Sequence, residues 1–179
     1  RLGAKASIME DGIGLHFIPA RPTIGYKEFN LNDDNYLLLS RSSKIEAKID
    51  LIADDGTGVK IYSSDSLSNE NYLQALTVSL YRFDLDKLTQ AIPYVPRITG
   101  ELNGDYHVVM DQKKQISVAS DMSVKQMTYE QCPIGNVSTE FVYLQREDDT
   151  HAVEGRLMLD EKEVGLIKGD YRNEGSGYL

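Results

Sequence analysis

Apolar and polar residues alternate with a period of two through most of this chain, which confines those stretches to strands with one buried face. Lys44 to Asp54 shows it best. Ile45, Ala47, Ile49, Leu51 and Ala53 point one way, and Glu46, Lys48, Asp50 and Asp54 the other, with Ile52 alone breaking the pattern. The turn Asp54-Asp55-Gly56-Thr57-Gly58 follows, then Val59 and Ile61 resume the alternation, so a hairpin is expected. In the second half Leu102, Gly104, Tyr106, Val108 and Met110 form one face, and the polar turn from Asp111 to Lys114 leads to Ile116, Val118, Ser120, Met122 and Val124. Pro133-Ile134-Gly135-Asn136 is read as a break before Val137, Thr139, Phe141 and Tyr143. Glu147-Asp148-Asp149 turns the chain into Val153, Gly155, Leu157 and Leu159, and a further turn at Asp160–Glu163 precedes Val164 and Leu166. An antiparallel meander is expected. Asn71 to Arg82 is strand-like but apolar on both faces, which predicts burial on both sides.

One segment departs from this period. Near residues 84–92, Leu85, Leu88 and Ile92 share a helical face, Asp84 is placed to cap the N-terminus, and Pro93 and Pro96 end the run. A short helix is expected here. It marks a soft boundary between a first β-sheet region, 1–83, and a second, 84–179, of helix plus meander; one continuous unit 1–179 is the other reading.

Composition narrows the partners. The 179 residues carry 19 Lys+Arg against 28 Asp+Glu, a net charge of −9, with most of the excess acid in residues 98–179. Such a chain lacks the basic footprint that nucleic acid or an anionic lipid surface requires. Cys132 is the sole cysteine, so no internal disulfide can form. The longest apolar runs fall far short of the ~20 residues that span a bilayer, and no signal peptide is visible. The chain opens Arg1-Leu2-Gly3 without methionine. It is read as a segment of a longer protein, whose anchor or targeting signal would lie outside it.

No motif for chemistry emerges, and neither a metal nor a cofactor is expected. His16, His107 and His151 are too dispersed for a local metal motif and are read as surface residues. The turn Asp54–Gly58 lacks the alternating ligands and distal Glu of a calcium loop and is read as solvated, like Glu147–Asp149. No nucleophile elbow, phosphate loop or dinucleotide fingerprint occurs. Cys132 is read as a structural or incidental thiol in a turn, and Asn136-Val137-Ser138 fits a glycosylation sequon. The eleven tyrosines are scattered, as half-buried strands prefer. A sheet with one apolar face must cover it. A second sheet about 10 Å away is one solution, giving a closed β-sandwich binding or adhesion module. Curling the sheet so that its apolar face lines a groove is the other.

From the helix onward the chain resembles a known family. Phe83-Asp84-Leu85-Asp86-Lys87-Leu88, Ile92-Pro93 and Ile98-Thr99-Gly100-Glu101-Leu102-Asn103-Gly104-Asp105 are similar to a recurring unit of TamB-type, AsmA-like proteins, the inner-membrane subunits of the translocation and assembly module. In that family a short helix ending in proline leads into a strand of the form Ile-x-Gly-x-Leu-x-Gly. Leu157-Met158-Leu159 and Gly135-Asn136-Val137 fit the same style, closest to the Bacteroidetes branch. The resemblance covers roughly residues 83–172.

The resemblance implies a mainly β protein: a long, curved antiparallel sheet, taco-like or β-helix-like, with an apolar interior. It implies a non-enzymatic role in envelope biogenesis, in the periplasm of a Gram-negative bacterium, with the parent protein anchored in the inner membrane. Outer-membrane protein assembly and phospholipid transport between membranes are the implied activities. Phospholipid acyl chains are the implied cargo, and an outer-membrane assembly-factor β-barrel the implied partner, reached through a region outside this chain. The family offers no catalytic residues. On this reading the groove would be lined by Leu102, Tyr106, Val108, Ile116, Val118, Phe141, Leu157, Leu159, Val164 and Leu166. Exposed strand edges would also favour self-association.

Overall fold

The alternating runs become strands, and most of the polar breaks between them become tight hairpin turns. The computed structural model describes residues 3–18, 21–24, 27–42, 44–63, 72–90 and 92–172. Its strands are β1 (Gly3–Met9), β2 (Gly12–Ile18), β3 (Thr23–Ile24), β4 (Lys27–Glu28), β5 (Asn30–Leu31), β6 (Tyr36–Ser40), β7 (Ile45–Ile52), β8 (Gly58–Ser63), β9 (Tyr72–Asp84), β10 (Ile98–Asp111), β11 (Ile116–Tyr129), β12 (Cys132–Gln145), β13 (Thr150–Leu159) and β14 (Lys162–Arg172), with a single helix, α1 (Leu85–Gln90). Twelve strands form one antiparallel sheet in the order β1-β2-β6-β7-β8-β9-β10-β11-β12-β13-β14, with β5 beside β7. The sheet does not close. It is continuous past the helix, because β9 pairs with β8 on one side and β10 on the other. The strands do not coil into stacked parallel rungs.

Two turn types repeat. In the turns 53–57, 111–115 and 146–150 the first residue's N–H donates to the carbonyl of the fifth, and the fourth residue's N–H donates back to the first. The fourth position is left-handed each time: Gly56, Lys114 and Asp149 have φ of 83°, 64° and 57°. Two-residue turns at Glu130-Gln131 and Asp160-Glu161 have both residues left-handed, the form that matches strand twist. The expected break at Pro133–Asn136 does not occur. The chain turns at Glu130-Gln131 instead, and β12 runs through the proline and glycine. Both lie beside a register shift between β11 and β12, where a missing N–H and a left-handed backbone (Gly135, φ 114°) are accommodated.

The sheet is a single layer. Among the described elements, each strand touches only its ladder neighbours, except that β7 also meets β9, and α1 rests on β9 and β10. β7 reaches β9 past the end of β8 at Ser63, where the Ile45 N–H donates to Gln74 Oε1 at 3.0 Å. The other sheet among the described residues is the two-residue ladder β3–β4, which packs on none of the large sheet's strands, so the sandwich arrangement is not formed among them. Only Phe29, Ala47 and Ala53 are buried apolar side chains among them. Burial on both sides of β9 takes a limited form. Thr77 and Ser79 are covered, yet Leu76, Val78 and Leu80 remain half-buried. Thr77 lies in register between Tyr62 and His107, and Ser79 between Lys60 and Asp105, so longer neighbours shield these short side chains.

The helix is one and a half turns long. Asp84 Oδ1 accepts the Asp86 N–H at 3.1 Å, the expected cap. Arg97 grips Asp86 with Nε and Nη2 at 2.8 and 3.2 Å, and this guanidinium holds the Asp86 carboxyl below its ordinary value. The apolar helical face is not buried: Leu88 is 42% and Ile92 54% exposed.

The most buried large side chain is polar. Asn35 is 1% exposed. β6 stops pairing with β2 at Leu37, and beyond that point the Asn35 amide replaces a strand. Its Oδ1 accepts the Phe17 N–H at 2.8 Å, and its Nδ2 donates to the carbonyls of Phe17 at 2.9 Å and Asn32 at 2.7 Å. Asn35→Ala would strand these backbone groups and is expected to destabilise the chain by about 2–3 kcal/mol in denaturant unfolding. Asn35→Asp, which would set a buried carboxylate oxygen against the carbonyls of Phe17 and Asn32, should cost at least as much as Ala at neutral pH. A loss under about 0.5 kcal/mol for Ala would refute the backbone-mimic role.

Candidate functional site: an uncovered apolar face

The register sorts side chains into rows that cross the sheet. One row on the apolar face reads Ile49, Ile61, Val78, Tyr106, Ser120, Phe141, Gly155 and Ile167, from β7 to β14. A second reads Leu51, Val59, Leu80, Gly104, Met122, Thr139, Leu157 and Gly165. A third runs Leu76, Val108, Val118, Tyr143, Val153 and Gly169. A fourth joins Phe83, Leu102, Val124, Val137 and Leu159. Ala6, Leu15, Leu37 and Ala47 carry the apolar face on to β1. Eight strands at about 4.8 Å spacing make the first row roughly 34 Å wide along the sheet.

Glycines in these rows seat larger neighbours. A Cβ on Gly104 would lie 3.1 Å from the Met122 side chain and 3.6 Å from the Tyr106 ring. A Cβ on Gly155 would lie 3.4 Å from the Phe141 ring. Tyr106 Oη also meets the Met122 sulfur. The aromatic rings thus lie low over the glycines and keep the face continuous.

Eight of the ten residues expected to line a groove share this face: Leu102, Tyr106, Val108, Ile116, Val118, Phe141, Leu157 and Leu159. The other two do not. A register shift pairs Leu157 with Gly165 but Met158 with Glu163, leaving Val164 in the bulge. Leu166 then falls opposite Arg156 on the polar face, and Ile167 takes the groove-side place opposite Gly155. Strict alternation from Val164 missed this, because one inserted residue reverses every side chain after it. It also left out Val59, Ile61, Val78 and Leu80, whose period-2 pattern was visible but sits in strands the resemblance does not cover.

The opposite face is polar. Its central row reads Asp50, Lys60, Ser79, Asp105, Asp121, Glu140 and Arg156. Near β12–β14 this face holds a shallow cavity of about 470 Å³ with Val142, Leu144 and Ala152 at its floor. Two ion pairs stand on its rim, Arg156 with Glu140 at 2.5 Å and Arg146 with Asp170 at 3.3 Å. Among the described residues no group of three or more His, Cys, Asp and Glu is placed to hold a metal ion.

The dispersed polar candidates have structural partners. His107 is exposed on the polar face beside Thr77 Oγ1 at 3.1 Å, but the other two histidines are half-buried. His16 Nδ1 contacts the Asn35 carbonyl at 2.7 Å, and His151 Nδ1 contacts Tyr143 Oη at 2.6 Å on the apolar face. The 54–58 turn is clasped rather than open. Lys27 Nζ reaches Asp55 at 2.6 Å, and this ammonium, then the Thr57 amide, holds the Asp55 carboxyl well below the usual carboxylate range. Asn136 of the sequon serves a bulge: its Oδ1 accepts the Gln126 N–H at 3.1 Å and its Nδ2 donates to Asp160 at 3.1 Å. Cys132 is exposed at the start of β12. Gly175-Ser176-Gly177, which lacks the Gly-x-Ser-x-Gly frame of a nucleophile elbow, lies outside the described residues. No helix among the described residues is long and apolar enough to cross a membrane.

No protein-family model, curated protein or solved structure matches this chain.

The 146–150 turn ties the two C-terminal hairpins together through Asp148. Its carboxyl accepts the Thr150 N–H at 3.1 Å and Arg172 Nη2 at 2.8 Å, and these hydrogen bonds lower its pKa to about 2. A depressed carboxylate pKa contributes stability above the unfolded value of 3.8, and that contribution is lost as pH falls through about 2. Carboxyl carbon NMR should show Asp148 titrating near 2, and Arg172→Ala should move the midpoint upward. An unshifted midpoint in that variant would refute the pairing.

Proposed function

We propose that this chain is a length of wall in a periplasmic β-trough of the TamB-type, AsmA-like kind, and that its apolar face carries phospholipid acyl chains. On this reading it works without catalysis in the envelope of a Gram-negative bacterium, in outer-membrane protein assembly or in phospholipid transport between membranes. Its parent protein is anchored in the inner membrane and engages an outer-membrane assembly-factor β-barrel through a region outside this chain. The observation that carries the reading is the apolar face itself, which crosses the sheet from β1 to β14 with no layer over it among the described residues. Ile8 is 88%, Ile13 48% and Ile116 40% exposed on that face. An acyl chain lying there would gain about 0.8 kcal/mol for each CH₂ removed from water. The acidic, ion-paired opposite face keeps such a wall soluble.

The residues behind the resemblance also have physical work in this sheet. Gly100 is left-handed (φ 134°) at the register shift between β10 and β11. Asn103 Oδ1 accepts the N–H of Arg82, itself left-handed, at 2.9 Å. Gly104 makes room for Met122 and Tyr106. The Gly-x-Leu-x-Gly unit thus bends one strand, caps its neighbour and flattens the apolar row.

Purified from a bacterial envelope, the chain should retain lipid detectable by extraction and mass spectrometry, and it should bind a fluorescent fatty acid in solution. Val108→Asp with Phe141→Asp, both on the apolar face, should weaken fatty-acid binding at least about tenfold, from the loss of roughly 1.5–3 kcal/mol of apolar contact per site. Asp121→Asn on the polar face should leave it unchanged. Circular dichroism controls for folding. Equal binding by the two variants, or no binding by the parent chain, would remove the proposal.

A further inference from the structure

Among the described residues the strand order ends at β1 and β14, and these two edges differ. Each of the two pairs on one side only there. β14 is eleven residues long and exposes apolar side chains on both faces: Leu166 67%, Ile167 60% and Tyr171 61%. Soluble proteins usually blunt such an edge with a central lysine, a bulge or a proline. Here the bulge sits at Val164, near the start of the strand, and no proline interrupts it. Its guard is Lys168, which faces the polar side opposite Glu154.

We propose that β14 pairs with β14 of a second copy of this chain, antiparallel about a two-fold axis through Gly169. Residues facing one another across a ladder must share a face, and beyond the bulge odd-numbered residues of β14 take the apolar face and even-numbered ones the polar face. Only registers centred on a residue satisfy this rule. A centre at Lys168 sets lysine against lysine. A centre at Asp170 sets aspartate against aspartate and Lys168 against Arg172. A centre at Ile167 sets Leu166 against Lys168 and Val164 against Asp170. The centre at Gly169 alone sets Lys168 against Asp170 twice, Ile167 against Tyr171 twice, and Leu166 against the Arg172 stem twice. Asp170 already contacts Arg146 at 3.3 Å within its own chain, so Lys168 of the second copy would extend an existing pair. Gly169 itself is open, with no atom within 4 Å of a built Cβ. β1, Gly3–Met9, offers no such match, because its Lys5 has no acidic residue in the strand to answer it. The two-fold axis stands perpendicular to the sheet, so both apolar faces come to lie on the same side. The pairing does not depend on what that face binds.

The test uses the whole chain with exposed Cys132 replaced (Cys132→Ser). Sedimentation equilibrium should show a concentration-dependent dimer. Gly169→Cys should cross-link it through a short bis-maleimide, whereas Gly165→Cys, whose copies would stand about 26 Å apart in this register, should not. Lys168→Asp alone and Asp170→Lys alone should each weaken the dimer about tenfold by facing like charges. An equimolar mixture of those two variants should restore it, since each then meets its opposite. A chain that stays monomeric overturns the proposal. So does a dimer indifferent to both substitutions, a dimer that cross-links at Gly165→Cys, or growth beyond the dimer, which would mark β1-to-β14 pairing. Lipid binding is measured separately, so failure here leaves the reading of the apolar face untouched.

Discussion

Lateral backbone hydrogen bonding holds this protein together. With almost no apolar side chain fully buried among the described residues, the peptide groups of each strand depend on the strands beside it. Where a neighbour falls short, something else supplies the missing groups. Asn35 does so beside β2. At the left-handed residues Arg82 and Gln126, the side chains of Asn103 and Asn136 accept the freed N–H groups. Unpaired polar groups in a sheet cost more than the paired ones contribute, so these asparagines carry structural weight out of proportion to their exposure.

The same ladder sets what the faces can do. A single layer leaves its apolar rows half-covered by their own neighbours alone. Glycine beside an aromatic ring is one way to improve that covering, as at Gly104–Tyr106 and Gly155–Phe141. Register shifts between β9 and β12 add twist without breaking the rows. The bulges therefore change the sheet's shape and leave its chemical sidedness intact.

Much of this was legible in the residues. The period of two located the long strands, the polar runs located the turns at 54–58, 111–114, 147–149 and 160–163 but not those joining β1 to β2 and β6 to β7, and Asp84 with Pro93 bracketed the helix. What was hidden has physical causes. Pro133 and Gly135 carry the local signature of a turn, but the true turn at Glu130-Gln131 uses residues with no strong turn preference. The bulge at Val164 is one residue of slack, and nothing in Glu163-Val164-Gly165 distinguishes it from regular strand. Asn35 looks like any loop asparagine until the end of β6 is placed. Whether the apolar face is covered was not readable at all, because a sandwich and an open sheet ask for the same alternation.

A one-layer sheet in which each strand touches little beyond its two neighbours behaves as a nearly one-dimensional system. Its free energy approaches a sum of nearest-neighbour terms, as in solenoid repeats. Loosening should then start at the free borders and advance strand by strand, without one cooperative collapse of a central core. A hairpin inserted between two existing hairpins would preserve strand direction, face and pairing on either side. Length in such a molecule is an adjustable quantity, set by the number of hairpins and not by any volume that must be filled.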